Sequence, residues 1–159
     1  MSGATGRKPP RNENRREYPN RPFAGVGVVV FRGEEVLLIR RGNPPRVGEW
    51  SLPGGAQKLG ETVRETAVRE VLEETGVQIG EPQFLEVVDA ITRDENGGVR
   101  YHYTLIDFQA EWRSGELSAA DDARHAEWIP LTRLPELDLW SRTTQVIRKA
   151  LGRRLPRRA

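Results

Sequence analysis

Glu70, Glu73 and Glu74 fall within five residues of one another, with Arg69 directly before them. No Gly or Pro interrupts residues 61–75, where Glu, Arg, Ala, Val and Leu dominate. The stretch is therefore expected to form a helix of about four turns. Gly76 closes it, as a glycine beyond a helix C-terminus commonly does. Glu70 and Glu74 are four residues apart and share one face, which Glu73 borders. Like charges at this spacing repel, so the cluster calls for a cation. Arg69 can bridge to Glu73 at i,i+4, but one guanidinium cannot neutralise three carboxylates. Hard oxygen donors select Mg²⁺ or Mn²⁺, and the chain has no Cys for a softer metal. Mg²⁺ held by a few carboxylates usually also binds substrate phosphates. A Glu-rich helix is more often a solvated acidic face. Here the Gly54-Gly55 turn after Pro53, the placed Arg69 and the terminal Gly76 weigh against that.

Residues 55–77 read GAQKLGETVRETAVREVLEETGV. They set Gly55, Glu61, Arg69, Glu70, Glu73, Glu74 and Gly76 in one register, with aliphatic Val71 and Val77. At about one in fifteen per residue type, chance yields this register on the order of 10⁻⁹ per start position. The segment matches the Nudix box, G-x5-E-x7-R-E-U-x-E-E-x-G-U with U aliphatic, at every fixed position. From about Phe23 to Leu151 the chain resembles Nudix hydrolases. The resemblance implies metal-dependent hydrolysis of a phosphoanhydride in a nucleoside diphosphate linked to another moiety. Mg²⁺ is the implied cofactor, with Mn²⁺ as a substitute. Glu70 and Glu74 are the implied main metal ligands, and Glu73 shares a second metal or its water shell. The Gly54 carbonyl completes the site, Glu61 reaches a metal through water, and Arg69 orients a glutamate. Glu73, Arg69, Glu70 and Glu74 form the implied catalytic group.

The box does not set the substrate. Two further runs, RRGNPPRVGEWSLPGG and VVDAITRDENGGVRYHYTLIDFQAEW, resemble small bacterial ADP-ribose pyrophosphatase-like members. ADP-ribose, cleaved to AMP and ribose 5-phosphate, is the leading substrate on that resemblance. A nucleoside triphosphate pyrophosphohydrolase is the main alternative. An RNA 5′-end pyrophosphohydrolase and a non-catalytic nucleotide-binding regulator rank lower.

The elements that must position these residues follow from composition. Residues 24–31 (AGVGVVVF) and 35–41 (EVLLIRR) read as strands around an Arg-Gly-Glu turn, and 42–48 (GNPPRVG) as a loop. Residues 83–92 and 99–112 read as strands joined by the DENGG turn. Residues 113–124 read as a polar loop, 127–131 as a short strand and 137–151 as an amphipathic closing helix. Many strands with two helices suggest an α/β fold with helices covering a sheet. The resemblance implies the Nudix α/β/α sandwich around a mixed β-sheet. Residues 1–22 are expected to be a disordered basic tail, 23–151 the domain and 152–159 a second basic tail.

Seven residues outside the box are candidate substrate contacts. Alternation puts Arg40 and Arg41 on opposite faces of their strand, so one can reach a phosphate. Arg46 lies in the Pro-rich loop. Trp50 can stack on a base or pack in the core. Tyr101, His102 and Tyr103 alternate faces at a strand start, where either face could meet substrate. Members of the resembled family often draw an extra ligand or base from a late loop, for which Asp121, Asp122 and Glu127 are candidates.

At 159 residues with a net charge of +2, the chain fits one domain, and bulk charge gives no case for nucleic acid. A small-molecule nucleotide is the expected partner, and the resemblance leaves a homodimer open. No segment is apolar enough to span a bilayer and none reads as a secretory signal. With no cysteine either, a cytoplasmic protein is expected.

Overall fold

β-Branched and aromatic residues in Phe23–Arg32 form β1, which pairs antiparallel with β2, Glu35–Arg41, across the Gly33 turn. Two short strands follow, β3 (Trp50–Ser51) and β4 (Gly54–Ala56). Next come helix α1 (Val63–Thr75), β5 (Gln78–Ile79), β6 (Gln83–Arg93), β7 (Val99–Ser114) and β8 (Ala123–Pro130). A 3₁₀ turn over Leu131–Glu136 leads to helix α2, Ser141–Arg153. This is a computed structural model, and it describes residues 15–118 and 123–154.

The eight strands form one mixed sheet in which β1 and β7 run parallel at the centre. The remaining pairs are antiparallel: β2 on β1, β3 and β8 on β2, β4 on β1, and β5 and β6 on β7. The period of two along a strand divides the core. Val26, Val28 and Val30 join Leu37, Phe108 and Trp128 beneath Ala67 and Val71 of α1. Val29 and Phe31 join Val36, Leu38, Leu85 and Val88 beneath Val146, Ile147 and Ala150 of α2. Each fully buried Val, Leu or Phe contributes about 1.5–3 kcal/mol against exposure, so both helices are held by their apolar stripes. The expected α/β/α sandwich is the observed one.

Several boundaries differ from the sequence reading. Glu61 lies outside the helix, because Thr62 serves as N-cap and accepts a hydrogen bond from the Glu65 amide at 3.1 Å. Gly54 and Gly55, expected as a turn, lie with Ala56 in β4, which pairs Gly54 with Gly27 and Gly55 with Val26. β7 continues to Ser114, and β8 begins at Ala123 because it zips along the whole of β2. The closing helix starts at Ser141 rather than residue 137, since Pro135 lies in the preceding 3₁₀ turn and Leu137 is extended. Residues 15–22 pack on the domain: the Tyr18 hydroxyl donates to Asp94 at 2.9 Å, and Arg100 bonds Glu17 at 3.2 Å.

Gly76 ends α1 with φ 79°, and its amide donates to the Leu72 carbonyl. A Cβ there would also stand 2.8 Å from the Glu116 carbonyl. Gly76→Ala is expected to cost about 2 kcal/mol from the left-handed conformation alone. Chemical denaturation should show a lower midpoint at unchanged slope, and an unchanged midpoint would mean that the turn relaxes without strain.

Candidate active site

Ala67 and Val71 form the inward stripe of α1, and Glu74, three residues on, continues it. Only 5% of Glu74 is exposed. A carboxylate so placed is costly unless polar groups meet it, and the Gly54 amide donates to its Oε1 at 3.2 Å. One turn earlier, Glu70 shares a hydrogen bond with Glu74. Burial holds Glu70 above the ordinary carboxylate value, with Arg69 pulling the other way. The two glycines of β4 make this contact sterically feasible. A Cβ on Gly54 would stand 2.0 Å from the Val26 carbonyl, and one on Gly55 2.5 Å from the Glu70 carboxyl.

Arg69 spends every N–H of its guanidinium on this site. It clasps Glu61 through Nη2 at 2.6 Å and Nε at 2.9 Å. Nη1 reaches Glu70 at 2.8 Å and Glu73 at 3.1 Å, and Nη2 also reaches the Ala56 carbonyl at 3.1 Å. Glu61 further accepts from the Lys58 amide at 2.9 Å and the Thr66 hydroxyl at 2.8 Å. Arg69 and these donors hold Glu61 down to about 2, and Glu61 in turn holds Arg69 above its usual value.

The box acids thus divide into two groups. Glu61 and Glu73 turn onto Arg69, while Glu70 touches both Arg69 and Glu74. Glu73, implied to share a second metal or its water shell, and Glu61, implied to reach a metal through water, are both bonded to Arg69 here. Among the described residues, no group of three or more His, Asp or Glu side chains is arranged to hold a metal. The arginine supplies the positive charge on that flank. The donor set that fits a hard divalent cation is the Glu70–Glu74 pair, two adjacent carboxyl groups beside Gly54.

That pair opens onto a cavity of about 550 Å³, within the range of small-molecule sites. Gly54, Gly55, Glu70 and Glu74 line one part of it. Tyr101, Tyr103 and Asp107 from β7 line another, with Trp140 and Arg142 at the start of α2. Arg41, Arg46 and Arg16 bring positive charge to its walls. Arg41 bonds the Pro45 carbonyl at 2.6 Å, and the Arg46 guanidinium lies 3.9 Å from the Trp140 ring centre.

Of the candidate substrate contacts, Arg41, Arg46, Tyr101 and Tyr103 therefore line the cavity. Arg40, Trp50 and His102 do not line the cavity. Arg40 bonds the Gly48 carbonyl at 2.9 Å and stacks 4.4 Å over Trp50, whose ring also meets His125 and the core. His102 alternates to the sheet face opposite the two tyrosines. Glu127 pairs with His125 at 3.3 Å and is likewise no part of the cavity, while Asp121 and Asp122 lie outside the described residues. Sequence reasoning missed Asp107, Trp140, Arg142 and Arg16. Asp107 alone left a signal, as a charge inside the apolar run TLIDF.

No described helix is long and apolar enough to cross a membrane. Over 116 residues the chain is 40% identical to the ADP-ribose pyrophosphatase of Methanocaldococcus jannaschii, covering 73% of this chain and 66% of that one. The crystal structure of a MutT NUDIX hydrolase from Burkholderia pseudomallei superposes with TM-score 0.70 at 30% identity, over 81% of this chain and 98% of the other. The NUDIX domain of Shewanella oneidensis NrtR, solved complexed with ADP ribose, superposes with TM-score 0.70 at 25% identity, over 84% and 88%. The chain spans about half to two thirds of the length of the first curated relatives it matches. Residues 21–150 match the NUDIX domain, and the chain belongs to that family.

Proposed function

We propose that the protein is a divalent-metal-dependent hydrolase that splits the diphosphate of ADP-ribose into AMP and ribose 5-phosphate. The single observation that carries this is the Glu70–Glu74 pair opening onto a cavity walled by arginines and aromatic rings. Support for the substrate comes from the relative named an ADP-ribose pyrophosphatase and from likeness to a domain solved with ADP ribose. Glu70 and Glu74 are the ligands in this scheme, with the Gly54 carbonyl beside them. Mg²⁺, or Mn²⁺ in its place, screens the diphosphate and acidifies the attacking water when bound. Arg69 fixes Glu70 and Glu73 and, through Glu61, ties the loop to the helix. Arg41 and Arg46 meet the phosphate charge. A box carboxylate, Glu70 or Glu73, takes the water's proton as its oxygen bonds to phosphorus and the P–O–P bridge breaks. Asp121 and Asp122 stay as further candidates for that base. A cytoplasmic setting belongs to the same scheme, supported by a chain without cysteine.

A nucleotide panel with Mg²⁺ and Mn²⁺, its products weighed by mass spectrometry, tests the substrate. AMP and ribose 5-phosphate from ADP-ribose are expected, with deoxynucleoside triphosphates left intact. Triphosphate cleavage in its place would overturn the assignment.

Glu70→Gln and Glu74→Gln are expected to lower kcat by at least about 100-fold while Tm holds. A near-wild-type rate for either in saturating Mg²⁺ would refute the ligand roles.

Arg69→Met tests the orienting role. Glu61 has its folded value depressed, so its stabilising contribution is present above about 4.5 and lost as pH falls towards about 2. In the variant, NMR titration of the Glu61 carboxyl should move up towards the ordinary value and acid unfolding should flatten in that window. A Glu61 titration unmoved from wild type would remove Arg69 as its anchor.

A further inference from the structure

Asp107 is the one buried acid of the cavity that the scheme above leaves idle. It lies in the middle of β7, is 3% exposed, and lines the cavity together with Tyr103, Leu105 and Val146. β1 makes room for it. Gly27 is its register partner on that strand, and a Cβ there would stand 2.5 Å from Asp107 Oδ1. The Gly27 amide also hydrogen bonds the carboxyl.

Among the described residues, the side-chain charge acting on Asp107 is that of Glu86, its partner on β6, and it is of like sign. Lys149 of α2 is bound to that same Glu86 at 3.2 Å. Burial, then Glu86, push the Asp107 carboxyl up to about 7, against the Gly27 amide. A buried acid without a cation is costly, so its place on a cavity wall asks for a ligand group. A phosphate does not suit it, since both are acidic and the arginines and the Glu70–Glu74 pair already serve phosphate. A hydroxyl does suit it, because it can donate to a carboxylate and accept from a carboxylic acid.

We propose that Asp107 is a specificity-determining residue that reads a ribose hydroxyl of the substrate from the floor of the cavity. The proposal rests on the ADP-ribose reading. It adds a polar contact that distinguishes hydroxylated from deoxy sugars. A site built to bond a hydroxyl rejects the analogue lacking it far more strongly than an apolar pocket rejects a lost methylene, because its own polar group is left unpaired.

The test compares kcat/KM for ADP-ribose with that for two analogues, one lacking a hydroxyl on the adenosine ribose and one lacking it on the terminal ribose. Wild type is expected to favour ADP-ribose over one of them by at least about tenfold, and the analogue that suffers identifies the sugar. Asp107→Leu should bring that ratio to within about twofold of unity, with Asp107→Ala giving the same comparison should the leucine variant not fold. Asp107→Asn, which still donates and accepts, should keep most of the preference. A ratio taken on one enzyme is insensitive to a general loss of stability, so a purely structural role would leave it unmoved. An unchanged ratio in the leucine or alanine variant, or no discrimination by wild type, overturns the proposal alone. Failure of wild type to cleave ADP-ribose overturns it together with the function on which it rests.

Discussion

Crowding acidic side chains onto one short helix is tolerated only where positive charge or hydrogen-bond donors meet each of them. In this protein the constraint is met twice, by different means. Arg69 gathers Glu61, Glu70 and Glu73 on one flank of α1. On the other, Glu74 sits in the apolar stripe and is met by the Gly54 amide. Glu70 belongs to both groups and sets the spacing between them. β4 has to lie hard against both α1 and β1 for this: a side chain on Gly55 would collide with Glu70 of the helix, and one on Gly54 with the Val26 carbonyl of the strand. The acid cluster, the strand and the arginine are therefore one packing unit.

The sheet decides what that unit faces. α1 covers the face of Val26, Val28 and Val30, while α2 covers that of Val29 and Phe31. A side chain at each position of β1 and β4 would wall the two layers off from one another. Gly25, Gly27, Gly54 and Gly55 put none there, and one cavity is lined by Glu70 and Glu74 from α1 as well as by Arg142 and Val146 from α2. The same absence gives Asp107 its place over Gly27.

Much of this was legible in the residues alone. The long Gly- and Pro-free run and Gly76 gave the helix to within two residues, and β-branched runs gave β1, β2, β6 and β7. The box register gave Glu70 and Glu74 their shared face. What escaped depends on contacts distant in sequence. The strand at residues 54–56 exists because β1 pairs with it, against the local turn preference of its glycines. Trp140 and Arg142 reach the cavity because α2 begins at Ser141, a boundary set by the preceding 3₁₀ turn. Arg69 was assigned one glutamate partner and has three, since helix spacing shows Glu73 but not the loop that brings Glu61 back. The basic residues near the two ends also differ in what they meet. Arg16 faces the cavity, but Arg153 and Arg154 are taken up by the Phe84 carbonyl and by Glu111.

Arg154 has a practical implication. It stacks 4.5 Å from the centre of the Phe31 ring and bonds the Gly33 carbonyl at 2.6 Å, which pins the end of α2 at the β1–β2 hairpin. Gly33 is six residue steps beyond Gly27, about 20 Å at the rise of a β-strand. A surface tether or fluorophore joined at the end of α2 accordingly starts at that hairpin, a strand's length away from the cavity-lining Gly27.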